Sequence, residues 1–127
     1  MSTLAEIMTS RVFTTAPDTS VAEAAAGMVR GGFGSAVVLE GTVLAGIVTE
    51  RDVLRAAASG AELTRSPVSR WMTRDPQTAD ADLDAERAAE VMLGGGFRHL
   101  PVVEGNTLVG IVSLRDLLSA RIRRRPA

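Results

Sequence analysis

The chain contains no cysteine, and that absence removes several chemistries at once. No disulfide framework, thiolate nucleophile or thiolate-ligated metal can form, and a small secreted scaffold stapled by disulfides is excluded. Only one histidine occurs, His99, so a single chain cannot build a site from several imidazoles. Net charge is almost missing too: 14 Lys+Arg stand against 15 Asp+Glu, a formal charge of −1. So small an imbalance gives no general attraction to nucleic acid or an anionic membrane, and neither is expected as a partner. No apolar run approaches the roughly 20 residues that span a bilayer. The stretch from Met1 to Glu6 also lacks a basic segment followed by an apolar one, so a soluble cytoplasmic protein is expected. Lysine is absent as well; every cation is arginine, which together with abundant alanine reads as coding bias rather than a demand for guanidinium.

What is present supports a packed globular core. With 127 residues, 46% hydrophobic and 23% charged, one compact domain is expected rather than a disordered chain. The chain also repeats itself at a fixed offset, without a gap. Met8-Thr9 aligns with Met72-Thr73, Ala24-Ala25 with Ala88-Ala89, Gly31-Gly32-Phe33 with Gly95-Gly96-Phe97, and Gly46-Ile47-Val48 with Gly110-Ile111-Val112. Roughly 20 of about 47 aligned positions are identical, against about one in fifteen expected by chance, so the halves arose by duplication. Each half is marginal in size for a core of its own, so the two are expected to fold together as one module. Repeat one covers about residues 7–60, a linker with Gly60 about 59–67, and repeat two about 68–123.

Each half reads as a short extended segment, a helix, a hairpin and a second helix, giving a mixed α+β fold of two β-α-β-β-α repeats. Ser20-Val21-Ala22-Glu23 carries a capping-box signature, Asp84 replaces Ser20 at the equivalent start, and glycines end both helices. Ala36 to Leu39, Glu40-Gly41 and Val43 to Val48 read as a tight hairpin, which Leu100 to Val103, Glu104-Gly105-Asn106 and Thr107 to Val112 repeat. The second helices start at Thr49 and Ser113, with Val53, Leu54, Leu117 and Leu118 as the expected buried face.

Chemistry concentrates where the hairpin feeds the second helix. The sequences there are Gly46-Ile47-Val48-Thr49-Glu50-Arg51-Asp52 and Gly110-Ile111-Val112-Ser113-Leu114-Arg115-Asp116. A glycine in a strand admits close approach by a ligand or another backbone. The hydroxyl and carboxylate lie three residues apart, on one face of a helix start. Backbone amides there, with the hydroxyl, can receive phosphate oxygens, and an ionised aspartate can accept both hydroxyls of a ribose. The same Ser/Thr-x-x-Asp spacing is also a capping box that needs no ligand, and a duplicated fold duplicates its caps, so both readings stand on these residues alone.

The tandem GIVTERD and GIVSLRD endings, together with FRHLPVVEGNTLVGIVS, resemble a pair of cystathionine β-synthase (CBS) domains, also called a Bateman module. The resemblance runs from about Ile7 to Leu118. It implies two repeats about a pseudo-twofold axis, clefts between them that take an adenosine-containing ligand, and a homodimer. Candidate ligands are AMP, ADP, ATP, S-adenosylmethionine, NAD and cyclic di-AMP, with no other cofactor required. Thr49, Asp52, Ser113 and Asp116 are then expected to contact phosphate and ribose. The resemblance adds Thr14, Ala16 and Thr78 from the extended segments, Val37 and Pro101 from the first hairpin strands, and Ile111 from the motif itself. The segment around Thr14 is expected near Ser113 and Asp116, and that around Thr78 near Thr49 and Asp52.

The halves differ in charge. Repeat two has Arg98-His99 where repeat one has Gly34-Ser35, which makes Arg98 and His99 candidate phosphate contacts, and Arg115 a further candidate beside Asp116. Asp80, Asp82 and Asp84 near Thr78 suit helix capping and the helix dipole, and disfavour a polyphosphate if they face a cleft. Unequal sites are therefore expected, the better one at Ser113 and Asp116. Arg121, Arg123, Arg124 and Arg125 read as a solvated basic tail suited to a helix C-terminus, and Trp71 as packing at the repeat junction. One histidine, no cysteine and no cluster of metal ligands argue against an enzyme and against a metal site. The expected function is regulatory: a nucleotide-sensing module signalling to a separately encoded effector. The alternative is a ligand-free dimerisation or interaction module in which both motifs serve only as caps.

Overall fold

The computed structural model describes residues 2–124. They form a mixed α+β fold of two compact units, Val12–Pro76 on one hand and residues up to Arg11 together with those from Gln77 onward on the other. Neither unit coincides with a sequence repeat, because each has taken in the segment that opens the other repeat.

In the contiguous unit, β1 (Thr14–Thr15) leads to α2 (Val21–Gly31), the hairpin β2 (Ser35–Glu40) and β3 (Val43–Thr49), and α3 (Glu50–Ala58). The strand β4 (Thr73–Arg74) closes the sheet in the order β1-β2-β3-β4. The Ser20 hydroxyl accepts from the Glu23 amide at 3.1 Å, so α2 starts where the sequence indicates, although only the serine half of the box forms. The hairpin register sets Ser35 against Thr49, Val37 against Ile47 and Glu40 against Val43. One face of the sheet and the two helices bury Val21, Ala24, Met28, Ala36, Val38, Val48 and Ala56. Val68 joins that core from a 3-10 turn, Val68–Arg70, beyond the linker. Two backbone bonds fasten it, Val21 N to Ser66 O and Val68 N to Thr19 O, both 2.8 Å.

The second unit repeats this arrangement with a strap from the other end of the chain. Its own elements are β5 (Ala79–Asp80), α4 (Ala85–Gly95), β6 (His99–Glu104), β7 (Thr107–Ser113) and α5 (Leu114–Arg124). The strap is α1 (Leu4–Ile7), an element not evident from the sequence pattern. Ala85 N donates to Ser2 O at 2.8 Å and Leu4 N to Leu83 O at 2.9 Å, the counterparts of the two bonds above. Leu4 is fully buried with Ala88, Met92, Leu100, Val102, Val112 and Leu117, which for a leucine side chain stabilises by about 1.5–3 kcal/mol.

The glycine before each corner is explained by this strapping. A Cβ on Gly46 would stand 2.7 Å from the Thr73 carbonyl oxygen and 2.6 Å from the Met72 sulfur. On Gly110 it would stand 2.9 Å from the Thr9 oxygen and 2.5 Å from the Met8 sulfur. Of the two uses anticipated for these glycines, the structure shows the close approach of another backbone. The repeated Met-Thr pairs are the residues that make it.

Two helix expectations need correction. Leu54 and Leu118 do not belong to the buried faces; they are 69% and 59% exposed. The faces turned inward carry Asp52 and Ala56 in α3, and Leu117 and Ala120 in α5; Leu54 lies two residues, about 200° of helix, from Asp52, and Leu118 one residue, about 100°, from Leu117. Asp84 stands at the N-cap of α4, but its side chain makes no capping bond. At the C-terminus Arg121 and Arg123 are exposed in the last turn of α5, and Arg125 lies outside the described residues.

Candidate functional site

Both corners are held by the register of their hairpins. Thr49 faces Ser35 across β2 and β3, and Ser113 faces His99 across β6 and β7. The chain turns from strand to helix immediately after each hydroxyl residue. The first amide of each helix donates back to the preceding loop, Glu50 N to Gly34 O at 3.2 Å and Leu114 N to Arg98 O at 2.9 Å. The third is bonded to the hydroxyl residue, Asp52 N to Thr49 Oγ1 at 3.4 Å and Asp116 N to Ser113 Oγ at 3.0 Å. Fewer amides are therefore open to an anion than the sequence motif alone suggests, and the side chains matter more.

In the contiguous unit the corner is fully engaged. Asp52 is buried, and its Oδ2 accepts from the Thr49 amide at 2.8 Å and from the Thr49 hydroxyl at 3.1 Å. Its Oδ1 accepts from Arg55 Nη1 at 2.7 Å. The Arg55 guanidinium carbon in turn lies 5.8 Å from the centre of the Trp71 ring, a contact worth about 0.5–1 kcal/mol where exposed. Trp71 is fixed by its Nε1, which donates to the buried Ser66 hydroxyl at 3.0 Å. Trp71 therefore packs within this unit beside Met72. Arg55 was not singled out from the sequence; its i,i+3 spacing from Asp52 was the available signal.

In the other unit the corner is open. The Ser113 amide donates to Asp116 Oδ2 at 2.9 Å. Among the described residues, the Ser113 hydroxyl donates to nothing and Asp116 Oδ1 has no partner. Ser119 stands where the contiguous unit has Arg55, and Ile7 where that unit has Trp71. The half-buried His99 lies opposite Ser113, and the exposed Arg98 precedes it.

The remaining expected residues divide between the units. Thr14 pairs with Val37, which is fully buried, and the exposed Ala16 follows in the same unit as Thr49 and Asp52. Thr78 is exposed just before β5, whose Ala79 pairs with Val102. Pro101, below 2% exposure, faces Ile111, and Arg115 points outward. Asp82 N donates to Asp80 Oδ1 at 3.2 Å, and the hydrogen bond and negative charge of Asp80 raise the Asp82 carboxyl above its ordinary value. No three acidic or histidine residues among those described gather closely enough to hold a metal ion. No described helix is long and apolar enough to cross a membrane.

Two strapped β-α-β-β-α units, each delivering a hydroxyl and an aspartate to a helix start, define a tandem-repeat module. The chain belongs to the CBS domain family, whose model matches residues 4–59 and 68–123. It is 37% identical over 118 residues to the CBS domain-containing protein YhcV of Bacillus subtilis, covering 92% of this chain and 84% of that protein. The CBS-domain containing protein ATU1752 from Agrobacterium tumefaciens superposes with a TM-score of 0.88 at 34% identity, covering 94% and 99% of the two chains. The CBS domain protein PAE2072 from Pyrobaculum aerophilum, solved in complex with AMP, superposes with a TM-score of 0.84 at 27% identity, covering 91% and 89%.

Proposed function

We propose that this chain is a non-catalytic regulatory module that binds an adenosine-containing nucleotide and signals its presence to a separately encoded protein, acting in the cytoplasm as a homodimer. The observation that carries the reading is the corner at Ser113 and Asp116, where among the described residues the hydroxyl proton has no acceptor and one carboxylate oxygen no partner, with His99 opposite and Arg98 before it. The hydroxyl suits a phosphate oxygen and the carboxylate a ribose diol, while Arg98 supplies positive charge, with the His99 ring beside it, in a chain that has little net charge to offer. The AMP complex of the Pyrobaculum relative supports the ligand class.

Titration calorimetry with AMP, ADP, ATP, S-adenosylmethionine, NAD and cyclic di-AMP tests the proposal. A mononucleotide of about 23 heavy atoms at roughly 0.3 kcal/mol per atom gives about 7 kcal/mol, a Kd on the order of 10 μM. Asp116→Ala is expected to abolish that binding. The second reading, a ligand-free interaction module, draws on Asp52, whose bonds complete a capping box with no ligand. No heat and no thermal stabilisation with any of the six compounds would favour it.

A further inference from the structure

We propose that Arg55 is a built-in occupant of the first corner, closing Asp52 to ribose so that the protein takes one nucleotide per chain, at the second corner. The inference rests on the nucleotide-binding reading above and goes beyond it by naming the residue that decides occupancy. A carboxylate offers about four acceptor positions. Asp52 has three of them filled, by the Thr49 amide, the Thr49 hydroxyl and the Arg55 guanidinium. A ribose diol brings two donors and finds one position. Asp116 has only the Ser113 amide upon it among the described residues, which leaves room for both hydroxyls.

The hydroxyls follow the same division. The Thr49 proton is spent on Asp52, whereas the Ser113 proton has no acceptor among the described residues and can go to a phosphate oxygen. Arg55 is held in place from behind by Trp71, and Trp71 by the buried Ser66, so the closing contact is braced by the segment that follows the linker. A ligand at Asp52 would have to displace a guanidinium that already supplies what its hydroxyls would supply. Arg55 itself is 59% exposed and packs in no core, so replacing it leaves the fold intact.

The test is calorimetry with AMP as the probe, on the full chain. The wild type is expected to show one event per chain, lost in Asp116→Ala. Arg55→Ser, which gives the first corner the residue found in the second, is expected to show two events, and Arg55→Ser with Asp52→Ala to return to one. Ser119→Arg is expected to weaken the wild-type event about fivefold, as a surface ion pair of about 1 kcal/mol would. Trp71, the sole tryptophan, reports on the first corner: its emission should respond to AMP in Arg55→Ser and not in the wild type. Two events of similar affinity in the wild type, or one event persisting in Arg55→Ser, would overturn the inference and leave the nucleotide reading standing. No AMP binding by the wild type or any variant would overturn both.

Discussion

The two corners of this protein share a backbone and differ in what their side chains do with it. Hairpin register, helix start and the bonds between the hydroxyl residue and the aspartate recur at Thr49/Asp52 and Ser113/Asp116. The divergence begins one turn further along the helix and in the strap, where Ser119 and Ile7 occupy the positions that correspond to Arg55 and Trp71. Duplication thus preserved the cap, a backbone necessity, and left the partners of the carboxylate to be set by residues outside the motif. A motif match counts two equivalent corners; the partners of their carboxylates, three bonds on Asp52 and the Ser113 amide on Asp116 among the described residues, set them apart.

Four substitutions bear on this comparison. The largest effect is expected from Leu4→Ala, which empties the strap's place in the core: a loss of about 2–5 kcal/mol. Hydrogen exchange should show lost protection mainly across residues 77–124, and equal loss across Val12–Pro76 would show that the strap serves both units. Next, Asp52→Ala should cost about 2 kcal/mol and Asp116→Ala about 1 kcal/mol in thermal melts, since both remove a cap partner but only the first removes an ion pair. Equal losses would mean that Arg55 adds nothing to Asp52. The smallest effect is expected at Asp82, fully exposed beside Asp80. Its folded-state pKa is raised, so the folded chain binds that proton more tightly than the unfolded one, and ionised Asp82 destabilises the fold. Asp82→Asn should therefore raise the melting temperature slightly at neutral pH, and the gain should vanish as pH falls through the Asp82 titration.

Local features were legible in the sequence because local interactions decide them. The alternation and turn residues place both hairpins within a residue of their observed limits, Ser35–Glu40 with Val43–Thr49 and His99–Glu104 with Thr107–Ser113. Ser20, Thr49 and Ser113 mark helix starts because their hydroxyls bond amides three residues away. The corner motif was visible for the same reason. What escaped was non-local. Gly46 and Gly110 announced that something comes close, but nothing nearby says that Met72-Thr73 serves the first and Met8-Thr9 the second. Leu54 and Leu118 looked internal by hydrophobicity, yet the helix face is fixed by where the strand delivers it. The i,i+3 spacing of Asp52 and Arg55 was readable, but the brace behind Arg55 comes from Trp71, beyond the linker.

The crossed straps have a consequence for the order of events on the ribosome. Val12–Pro76 is continuous and can close as soon as it has emerged, whereas Leu4 must wait for Leu117, at about 5–20 residues per second a delay of roughly ten seconds. Until Met72-Thr73 has emerged, Gly46 is without the Met-Thr pair that packs on it, and the first such pair to appear is Met8-Thr9. The early strap is therefore a competitor for the wrong glycine. The bulk of Trp71 and its bond to Ser66, which Ile7 cannot make, favour the correct occupant once it arrives.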